Sequence, residues 1–226
     1  MKMGKKAVFI CLSGIDGAGK TVIAKKLAQD LRGEGLRCNY VWGNVRPFFL
    51  KPFILIAKLM FVRGKDKFKD YAGHSTAKRS AFKKYFGLSY LYHFLVWLDY
   101  LPQVFFKITV PLFFGTNVVC DRYVYDTLID MAQNLGYSNE RVLDMVRKYL
   151  KMFPAPDLVF FLDTPEETAI QRKDDIPSIE YLRERREMYV GIREACGMLV
   201  LDGSRDLAEL NGTLKGEVLE RLKDVA

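Results

Sequence analysis

The sequence feature that most constrains the fold is the segment Gly14 to Thr21, which reads G-I-D-G-A-G-K-T. It has the spacing G-x-x-x-x-G-K-[S/T] of loops that wrap backbone amides around nucleotide phosphates. Such a loop must join a buried strand to the start of a helix, and an apolar, β-rich run at Ala7 to Leu12 does precede it. Apolar residues then recur at helical spacing at Val22, Ile23, Leu27, Ala28 and Leu31. An ordinary glycine-rich turn would not require this context.

The residue types inside this loop each have a chemical use. Gly14, Gly17 and Gly19 remove the Cβ atoms that would keep backbone amides away from a polyphosphate. Lys20 is placed to reach the β- and γ-phosphates as a point charge, and the hydroxyl of Thr21 is placed to bind Mg²⁺. The loop therefore predicts a kinase or a nucleoside triphosphatase.

Composition indicates one domain with an uneven charge. The 226 residues are 50% apolar, which is ample for the core of a single α/β domain over 1–226. The formal net charge is +8, and the segment Arg63 to Lys84 carries eight basic residues against two acidic ones. This segment is either a solvated loop or a patch that attracts phosphorylated substrates, anionic lipid or nucleic acid. Because no nucleic-acid-binding motif accompanies it, we expect no nucleic-acid partner.

The cysteines indicate a reducing compartment. Cys11, Cys38, Cys120 and Cys196 are far apart and show no C-x-x-C spacing, so we expect buried free thiols and no structural metal. The segment Met1 to Lys6 is too short for a signal peptide. These features predict a cytoplasmic protein.

Two apolar stretches bear on a membrane association. Pro47 to Val62 and Phe86 to Phe114 are both interrupted by lysine and proline, so neither offers about twenty uninterrupted apolar residues. We therefore expect buried helices. The aromatic density of Phe86 to Phe114 leaves open a peripheral membrane contact, a homodimer face or a wide apolar substrate pocket.

Strands and helices alternate along the rest of the chain. Apolar strands are predicted at Cys38 to Trp42, Asn117 to Asp121, Asp157 to Leu162 and Met198 to Leu201. Helices are predicted at Val124 to Leu135, from the cap Ser138 to Met152, from Thr164 onwards, at Glu180 to Arg193 and at Asp206 to Lys223. The alternation predicts an α/β fold, a five-stranded parallel sheet flanked by helices. Ligands bind such sheets beyond the carboxyl ends of the strands, where Gly14, Asp121 and Asp163 lie.

A second candidate site follows the strand that ends at Asp121. The Asp121 carboxylate is placed to hold Mg²⁺, and Arg122 beside it can bind two phosphate oxygens at once. An Asp and an Arg at a strand end also pair for purely structural reasons. Since the phosphate-binding loop lies upstream, we interpret Asp121, Arg122 and Tyr123 as part of a phosphoryl-transfer site.

An arginine-rich segment follows the fourth strand. The helical pattern is interrupted between Ala169 and Ser178 and then resumes with several arginines. A hinged segment of this kind, at about 172–186, suits a lid that closes over ATP and excludes water. For any single arginine the alternative is a solvated helix laced with ion pairs. We assign the catalytic role to Arg172, because it lies at the hinge.

At these motifs the chain resembles the thymidylate kinase family. The matching segments are Gly14 to Thr21, Asp121 to Tyr123, Pro156 to Ala169 and the arginine-rich helix that ends in Met188 and Tyr189. The resemblance implies a P-loop kinase fold with a lid and a helical acceptor-binding region at about 45–115. It also implies transfer of the γ-phosphoryl of Mg-ATP to the phosphate of a small-molecule acceptor.

The resemblance also implies roles for single residues. By it Lys20 and Thr21 hold ATP and Mg²⁺, Asp16 faces the acceptor, Asp121 helps to position the metal, and Arg122 binds the acceptor phosphate. The predicted nucleotide-binding residues are Gly14, Asp16, Gly17, Ala18, Gly19, Lys20 and Thr21. The predicted metal ligands are Thr21 and Asp121, and the predicted catalytic residues are Lys20, Asp121, Arg122 and Arg172.

The acceptor side departs from the family pattern. Where the family has R-E-P-G-G-T after the second strand, this chain has Trp42 to Pro47, and it has Leu98-Asp99-Tyr100 where Ala-Asp-Arg is expected. Two phosphate- or base-reading positions are therefore absent or relocated, with Arg46 as one new place. We expect dTMP or a related phosphorylated small molecule as the acceptor. The alternatives are a sugar-phosphate or lipid-like acceptor near a membrane surface, and a non-catalytic ATP-binding regulator.

Overall fold

The structure is a computed structural model that describes residues 7–45, 51–52 and 86–224. Several sequence-based predictions lie outside these ranges. They concern Arg46, nearly all of Pro47 to Val62 and the whole basic segment Arg63 to Lys84. Of the expected helical acceptor region, about 45–115, the structure describes residues 45, 51–52 and 86–115.

The centre of the molecule is a five-stranded sheet in which every pair of neighbours is parallel. The strands are β1 (Phe9–Gly14), β2 (Cys38–Trp42), β3 (Asn117–Asp121), β4 (Leu158–Asp163) and β5 (Leu199–Asp202). Their order across the sheet is β2-β3-β1-β4-β5. All six residues of β1 are buried, as expected for the central strand of a sheet that is covered on both faces. The predicted α/β fold with a five-stranded parallel sheet is confirmed.

Helices flank this sheet. They are α1 (Lys20–Gly33), α2 (Phe86–Val104), α3 (Val110–Phe113), α4 (Val124–Leu135), α5 (Asn139–Tyr149), α6 (Glu166–Gln171), α7 (Ile179–Ile192) and α8 (Leu207–Asp224). The Ser138 hydroxyl accepts the backbone N–H of Arg141 and so caps α5, as the sequence predicts. That helix ends at Tyr149 instead of the predicted Met152, before the break at Pro154 and Pro156.

Two groups of helices form the packing around the sheet. Helix α1 packs against α8 and against β2 and β3, whereas α4 contacts α5 and α7. The predicted buried face of α1 is correct except at Val22, which is 54% exposed because it lies one residue outside the stripe of Ile23 and Leu27.

The prediction of buried helices over Phe86 to Phe114 is only half right. A π-helical turn at Phe105–Thr109 separates α2 from α3. One side of this region is buried through Val96, Tyr100, Val104 and Ile108, which recur every four residues. The opposite side is exposed at Leu91, Phe94, Leu98, Leu101, Phe105, Phe106, Phe113 and Phe114. In the described part of the chain, no helix is long and apolar enough to cross a membrane.

The cysteines are free thiols. Cys11, Cys38 and Cys120 are buried as predicted, but Cys196 is only half-buried, because it lies in the turn after α7. Burial raises the pKa of Cys38 and of Cys196 to about 11, so both thiols stay protonated at neutral pH.

Candidate functional site

The parallel sheet brings the predicted site segments to one edge. In the register of the strands, Leu12 pairs with Asp121 of β3 and Gly14 pairs with Leu162 of β4. The carboxyl ends of β1, β3 and β4 are therefore neighbours, which is the edge where open α/β sheets bind ligands. We call residues 14–21, which join β1 to α1 at this edge, the phosphate loop.

Glycine is required within the phosphate loop for two separate reasons. Gly17 and Gly19 have φ angles of 80° and 90°, a region that side chains with a Cβ rarely adopt. A Cβ on Gly17 would also lie 2.1 Å from the carbonyl oxygen of Ala169 in α6. Gly19 is the residue before α1, so the loop delivers the free amides of the helix N-terminus to this edge.

Lys20 is folded back onto the phosphate loop. Its Nζ donates hydrogen bonds to the carbonyl oxygens of Gly14, at 2.8 Å, and Ile15, at 2.5 Å, and the side chain is buried. Burial, together with the nearby Arg122 guanidinium, lowers the pKa of Lys20 to about 7. A bound polyphosphate would supply the negative charge that this buried ammonium lacks.

Thr21, the last residue of the phosphate loop, contacts Asp121 at the end of β3. The Thr21 hydroxyl donates to Asp121 Oδ2 at 2.5 Å, and the Tyr40 hydroxyl donates to the same oxygen at 3.2 Å. Asp121 is fully buried, and its other oxygen, Oδ1, has no hydrogen-bond partner in the described part of the chain. A buried carboxylate with one oxygen left over is unusual unless a ligand completes it.

This pair fits a magnesium ion that arrives with a nucleotide. Hydroxyl and carboxylate oxygens are the ligands Mg²⁺ prefers, and the ion usually keeps its waters and takes the remaining oxygens from phosphates. Among the described residues, no group of three or more His, Cys, Asp or Glu side chains could hold a metal ion without such help. The pair of Thr21 and Asp121 therefore suits a metal ion that takes its further ligands from a nucleotide.

Asp16 is the centre of a cluster of cationic and hydroxyl side chains. It accepts a hydrogen bond from Arg122 Nη2 at 2.5 Å and one from the Tyr181 hydroxyl at 3.1 Å, and Lys173 Nζ lies 3.7 Å away. Tyr181 in turn accepts a hydrogen bond from Arg185 at 3.0 Å. We call Asp16, Arg122, Lys173, Tyr181 and Arg185 the Asp16 cluster.

Charge dominates this cluster. Burial opposes ionisation of Asp16, but Arg122, Arg185, Lys20 and Lys173 outweigh it and hold the pKa of this carboxyl well below its usual range. Asp16 is therefore a carboxylate at any physiological pH, and it joins the phosphate loop to segments far away in the sequence.

Arg122 has a strained backbone. Its φ is 71°, the only positive value at a non-glycine residue in the described ranges. The conformation is held by the backbone hydrogen bond from Arg122 N to Leu12 O, at 2.9 Å, and by Asp126, whose carboxylate lies 3.4 Å from Arg122 Nη1. Strain of this kind persists where surrounding structure enforces it, often at functional sites. Here it turns the guanidinium from the end of β3 toward the phosphate loop.

Asp126 is the buried support of this turn. Its carboxylate accepts hydrogen bonds from the Ser13 hydroxyl at 2.8 Å, from the Tyr189 hydroxyl at 2.7 Å and from the backbone N–H of Tyr123 at 3.1 Å. It has no exposed surface. One carboxylate thus ties β1, α4 and α7 to the segment that carries Arg122.

Arg172 lies outside the Asp16 cluster. Its side chain is exposed, and its Nη1 donates to the carbonyl oxygen of Gly203, after β5, at 3.0 Å. Arg186, another arginine of the predicted lid, contacts Asp163 at 2.6 Å and Glu166 at 3.5 Å. The arginine of this segment that does enter the cluster is Arg185.

Sequence reasoning missed Asp126, Asp130, Tyr181 and Arg185 as site residues. A pattern existed for Arg185, because the buried residues of α7 are Leu182, Arg185, Tyr189 and Ile192, spaced like a core stripe. An arginine inside an apolar stripe must be paired or must serve a ligand. The acidic residues of α4 carried no comparable pattern, since Asp126 and Asp130 become partners of α7 only through tertiary packing.

The arrangement defines a class of enzyme. A glycine-rich loop before a helix, a lysine within it, a hydroxyl paired with a carboxylate and a neighbouring arginine are the parts of a phosphotransferase that works on a nucleotide. Such chemistry depends on positioning and charge and needs no protein nucleophile.

Comparison with known proteins agrees with this class. The chain is 30% identical over 194 residues to a probable thymidylate kinase of Thermococcus kodakarensis, covering 83% of this chain and 84% of the relative. It is 26% identical over 221 residues to a probable thymidylate kinase of Staphylothermus marinus, covering 95% and 96%. It is 25% identical over 240 residues to one of Thermoplasma acidophilum, covering 96% and 98%. No family model matches the chain.

The chain belongs to the thymidylate kinase family. It is therefore an enzyme of the nucleoside monophosphate kinase class, and the resemblance stated from the sequence motifs is confirmed.

Proposed function

We propose that this chain transfers the γ-phosphoryl group of Mg-ATP to the phosphate of dTMP. The observation that carries the proposal is the 2.5 Å contact between Arg122 Nη2 and Asp16 Oδ1. It joins the strand end that carries Asp121 to the phosphate loop, so that a donor and an acceptor phosphate would meet within one cluster. The relatives named thymidylate kinase support the choice of dTMP.

The donor half of the reaction uses the phosphate loop. We assign the donor nucleotide to the amides of Gly14, Gly17, Ala18, Gly19 and Lys20, with the Lys20 ammonium on the β- and γ-phosphates. Thr21 and Asp121 would hold Mg²⁺ through the hydroxyl and the unpartnered Oδ1. When bound, the ion would stabilise the negative charge that develops on the phosphate oxygens during transfer.

The acceptor half uses Arg122 and Asp16. An oxygen of the acceptor phosphate forms a bond to Pγ while the bond from Pγ to the oxygen bridging Pβ and Pγ breaks, and ADP leaves with that electron pair. Arg122 would hold the acceptor phosphate near the γ-phosphate and reduce the repulsion between them. Asp16 would orient Arg122 and face the acceptor.

Other assignments remain proposals. We keep a lid at about 172–186, with Arg172 as a catalytic arginine at its hinge, a helical acceptor region at about 45–115, and a single domain over 1–226. A cytoplasmic location, a homodimer and a peripheral membrane contact stay predictions. A non-nucleotide acceptor and a non-catalytic role are not favoured by the relatives.

A coupled assay of ADP release with a panel of nucleoside monophosphates tests this function. We expect ADP formation from Mg-ATP to depend on dTMP and to produce dTDP, and to stop when Mg²⁺ is removed. If no nucleoside monophosphate stimulates ADP release while ATP still binds, the nucleotide kinase assignment is wrong for this chain.

A further inference from the structure

We propose that Arg185 is a second guanidinium of the acceptor site and that it binds the acceptor phosphate through its Nε and Nη2 atoms. The inference rests on the proposed function in one respect, namely that a phosphorylated acceptor approaches Arg122 and Asp16. It adds a binding residue on α7 that no sequence motif indicates.

The Arg185 guanidinium is buried and only partly hydrogen-bonded. Arg185 is 2% exposed. Its Nη1 contacts Asp130, the Tyr181 hydroxyl at 3.0 Å and the Gln133 side chain at 3.5 Å. Its Nε and Nη2 have no hydrogen-bond partner in the described part of the chain. Buried polar groups are almost always hydrogen-bonded, so an arginine with one nitrogen satisfied and two left over calls for a ligand.

The two unpartnered nitrogens of Arg185 lie on one edge of its planar group. Nε and Nη2 present parallel N–H bonds on one side of the planar group, which is the fork that takes two oxygens of a phosphate or carboxylate. The ion pair with Asp130 uses only Nη1 and therefore leaves this fork complete. Asp130 holds the guanidinium in place, while Nε and Nη2 stay buried without a hydrogen-bond partner among the described residues.

Arg185 lies close to the proposed acceptor site. Tyr181 links Arg185 to Asp16, and Asp16 contacts Arg122, so two guanidinium groups lie on two sides of one carboxylate. Both arginines contribute to keeping Asp16 ionised. A phosphate that approaches Arg122 thus enters the field of Arg185 as well.

The segment after β2 also reaches the Arg185–Asp130 pair. Asn44 comes from the stretch that departs from the family pattern, and its Nδ2 lies 3.4 Å from Asp130 Oδ2. The segment that lacks the expected arginine therefore contacts the partner of Arg185. In addition, the buried Thr127 hydroxyl, one turn before Asp130 on α4, has no hydrogen-bond partner among the described residues. Two buried polar groups, the Thr127 hydroxyl and the Arg185 fork, thus lack a hydrogen-bond partner in the described part of the chain.

The test compares the full-length wild-type chain with Arg185→Lys, which keeps the charge and removes the fork. The control is Arg147→Lys, at an exposed position of α5 that forms an ion pair with the exposed Asp144. Binding of dTMP and of thymidine is measured by calorimetry with the donor site saturated by Mg²⁺ and a non-hydrolysable ATP analogue. The difference between the two ligands reports the phosphate alone.

We expect Arg185→Lys to weaken dTMP binding by about tenfold or more, because a hydrogen bond to a charged group is worth about 1.5–3 kcal/mol and 1.4 kcal/mol is tenfold. Thymidine binding should change by less than about twofold. Unchanged dTMP affinity would overturn the proposal. Equal losses for dTMP and thymidine would overturn it too, because Arg185 would then read the nucleoside or only support the fold.

Loss of folding in Arg185→Lys does not end the test. A double variant, Arg185→Met with Asp130→Leu, removes both members of the ion pair between the buried Arg185 and the half-buried Asp130, so that neither charge is left without its partner. Its thermal melt checks the fold, and the dTMP–thymidine difference should shrink by at least the same factor, because methionine removes the charge as well as the fork.

The design separates this inference from the proposed function. If the wild type releases ADP with dTMP but the Arg185 variants keep their dTMP affinity, only the inference fails. If dTMP neither reacts nor binds, the dTMP assignment fails, and the titration is repeated with the other nucleoside monophosphates and their nucleosides. A phosphate-dependent gap that closes in Arg185→Lys for any of them supports Arg185, and the absence of any such gap in the wild type overturns it.

Discussion

The phosphate loop and the Asp16 cluster lie next to each other at one edge of the sheet and are built in opposite ways. The phosphate loop is eight consecutive residues, and its shape depends on backbone angles at Gly17 and Gly19. The Asp16 cluster draws side chains from the loop, from the end of β3, from the segment after α6 and from α7. One site is made by local sequence, the other by tertiary packing.

The difference has a physical consequence. A backbone cradle is preorganised whenever β1 and α1 are folded, so it should bind any nucleoside triphosphate in a similar way. A cluster of side chains depends on the position of α7 relative to α4 and can be changed by single substitutions. We therefore expect substitutions in α4 and α7 to change acceptor binding more than donor binding.

The strongest test of the donor half is Lys20→Ala. Removing the ammonium should lower kcat for phosphoryl transfer by roughly 10²–10³-fold, the scale seen when one charge-stabilising donor is lost. The control is Lys25→Ala, five residues further on and exposed, which should keep wild-type rates. Activity of Lys20→Ala within tenfold of the wild type would show that the loop does not handle the donor as proposed.

The buried support of Arg122 on the acceptor side can be tested with Asp126→Asn. The substitution removes a buried charge that Arg122, Ser13 and Tyr189 all contact. We expect a loss of roughly 3 kcal/mol in the free energy of unfolding, because partners of a buried charge are left unsatisfied. Urea denaturation monitored by circular dichroism measures it. A loss below about 1 kcal/mol would mean that Asp126 does not support the turn at Arg122.

The two halves should also differ in how stability depends on pH. The pKa of Lys20 is about 7 in the folded chain and near 10.5 when unfolded, so between these values the unfolded state binds more protons and this residue makes stability rise with pH. Relative to Lys20→Met, the wild type should gain roughly 2 kcal/mol from pH 7 to pH 9. Asp16 contributes no change in this window, because its carboxyl is ionised throughout. Parallel stability curves for the two proteins would contradict the buried cation.

A smaller effect isolates the strain at Arg122. Arg122→Gly and Arg122→Ala both remove the guanidinium, but only glycine adopts φ 71° without cost. The glycine variant should be more stable than the alanine variant by about 1 kcal/mol. At Arg147, inside the regular helix α5, the same comparison should have the opposite sign. Equal stabilities at Arg122 would mean that its backbone is not strained.

The contrast between the two sites explains what the sequence predicted. The strands at Cys38 to Trp42 and Asn117 to Asp121 and the helix Val124 to Leu135 were predicted with the observed bounds, because apolar periodicity and chain breaks are local. Gly14 to Thr21 was found for the same reason. These strands, this helix and the phosphate loop could be predicted because each is encoded by residues that are neighbours in the sequence.

The acceptor side could not be predicted in the same way. The apolar stripe of α7 indicates that Arg185 is buried, but only the packing of α7 pairs it with Asp130, while Arg172 contacts Gly203. For the exposed aromatic face of α2 and α3, the sequence left buried helices, a membrane contact, a homodimer face and a substrate pocket all open, since periodicity shows that a helix has an apolar side but not whether the molecule covers it. Side-chain partners between distant segments are set by the assembled fold.

The central claim is that Arg122 handles the acceptor while the phosphate loop handles the donor. Two-substrate initial rates on Arg122→Lys test it most directly, with ATP and dTMP varied independently. We predict that kcat/KM for dTMP falls by roughly tenfold or more, because lysine cannot form the two-oxygen contact, while KM for ATP changes less than about twofold. An equal loss for ATP and dTMP would contradict the division of the site into these two halves.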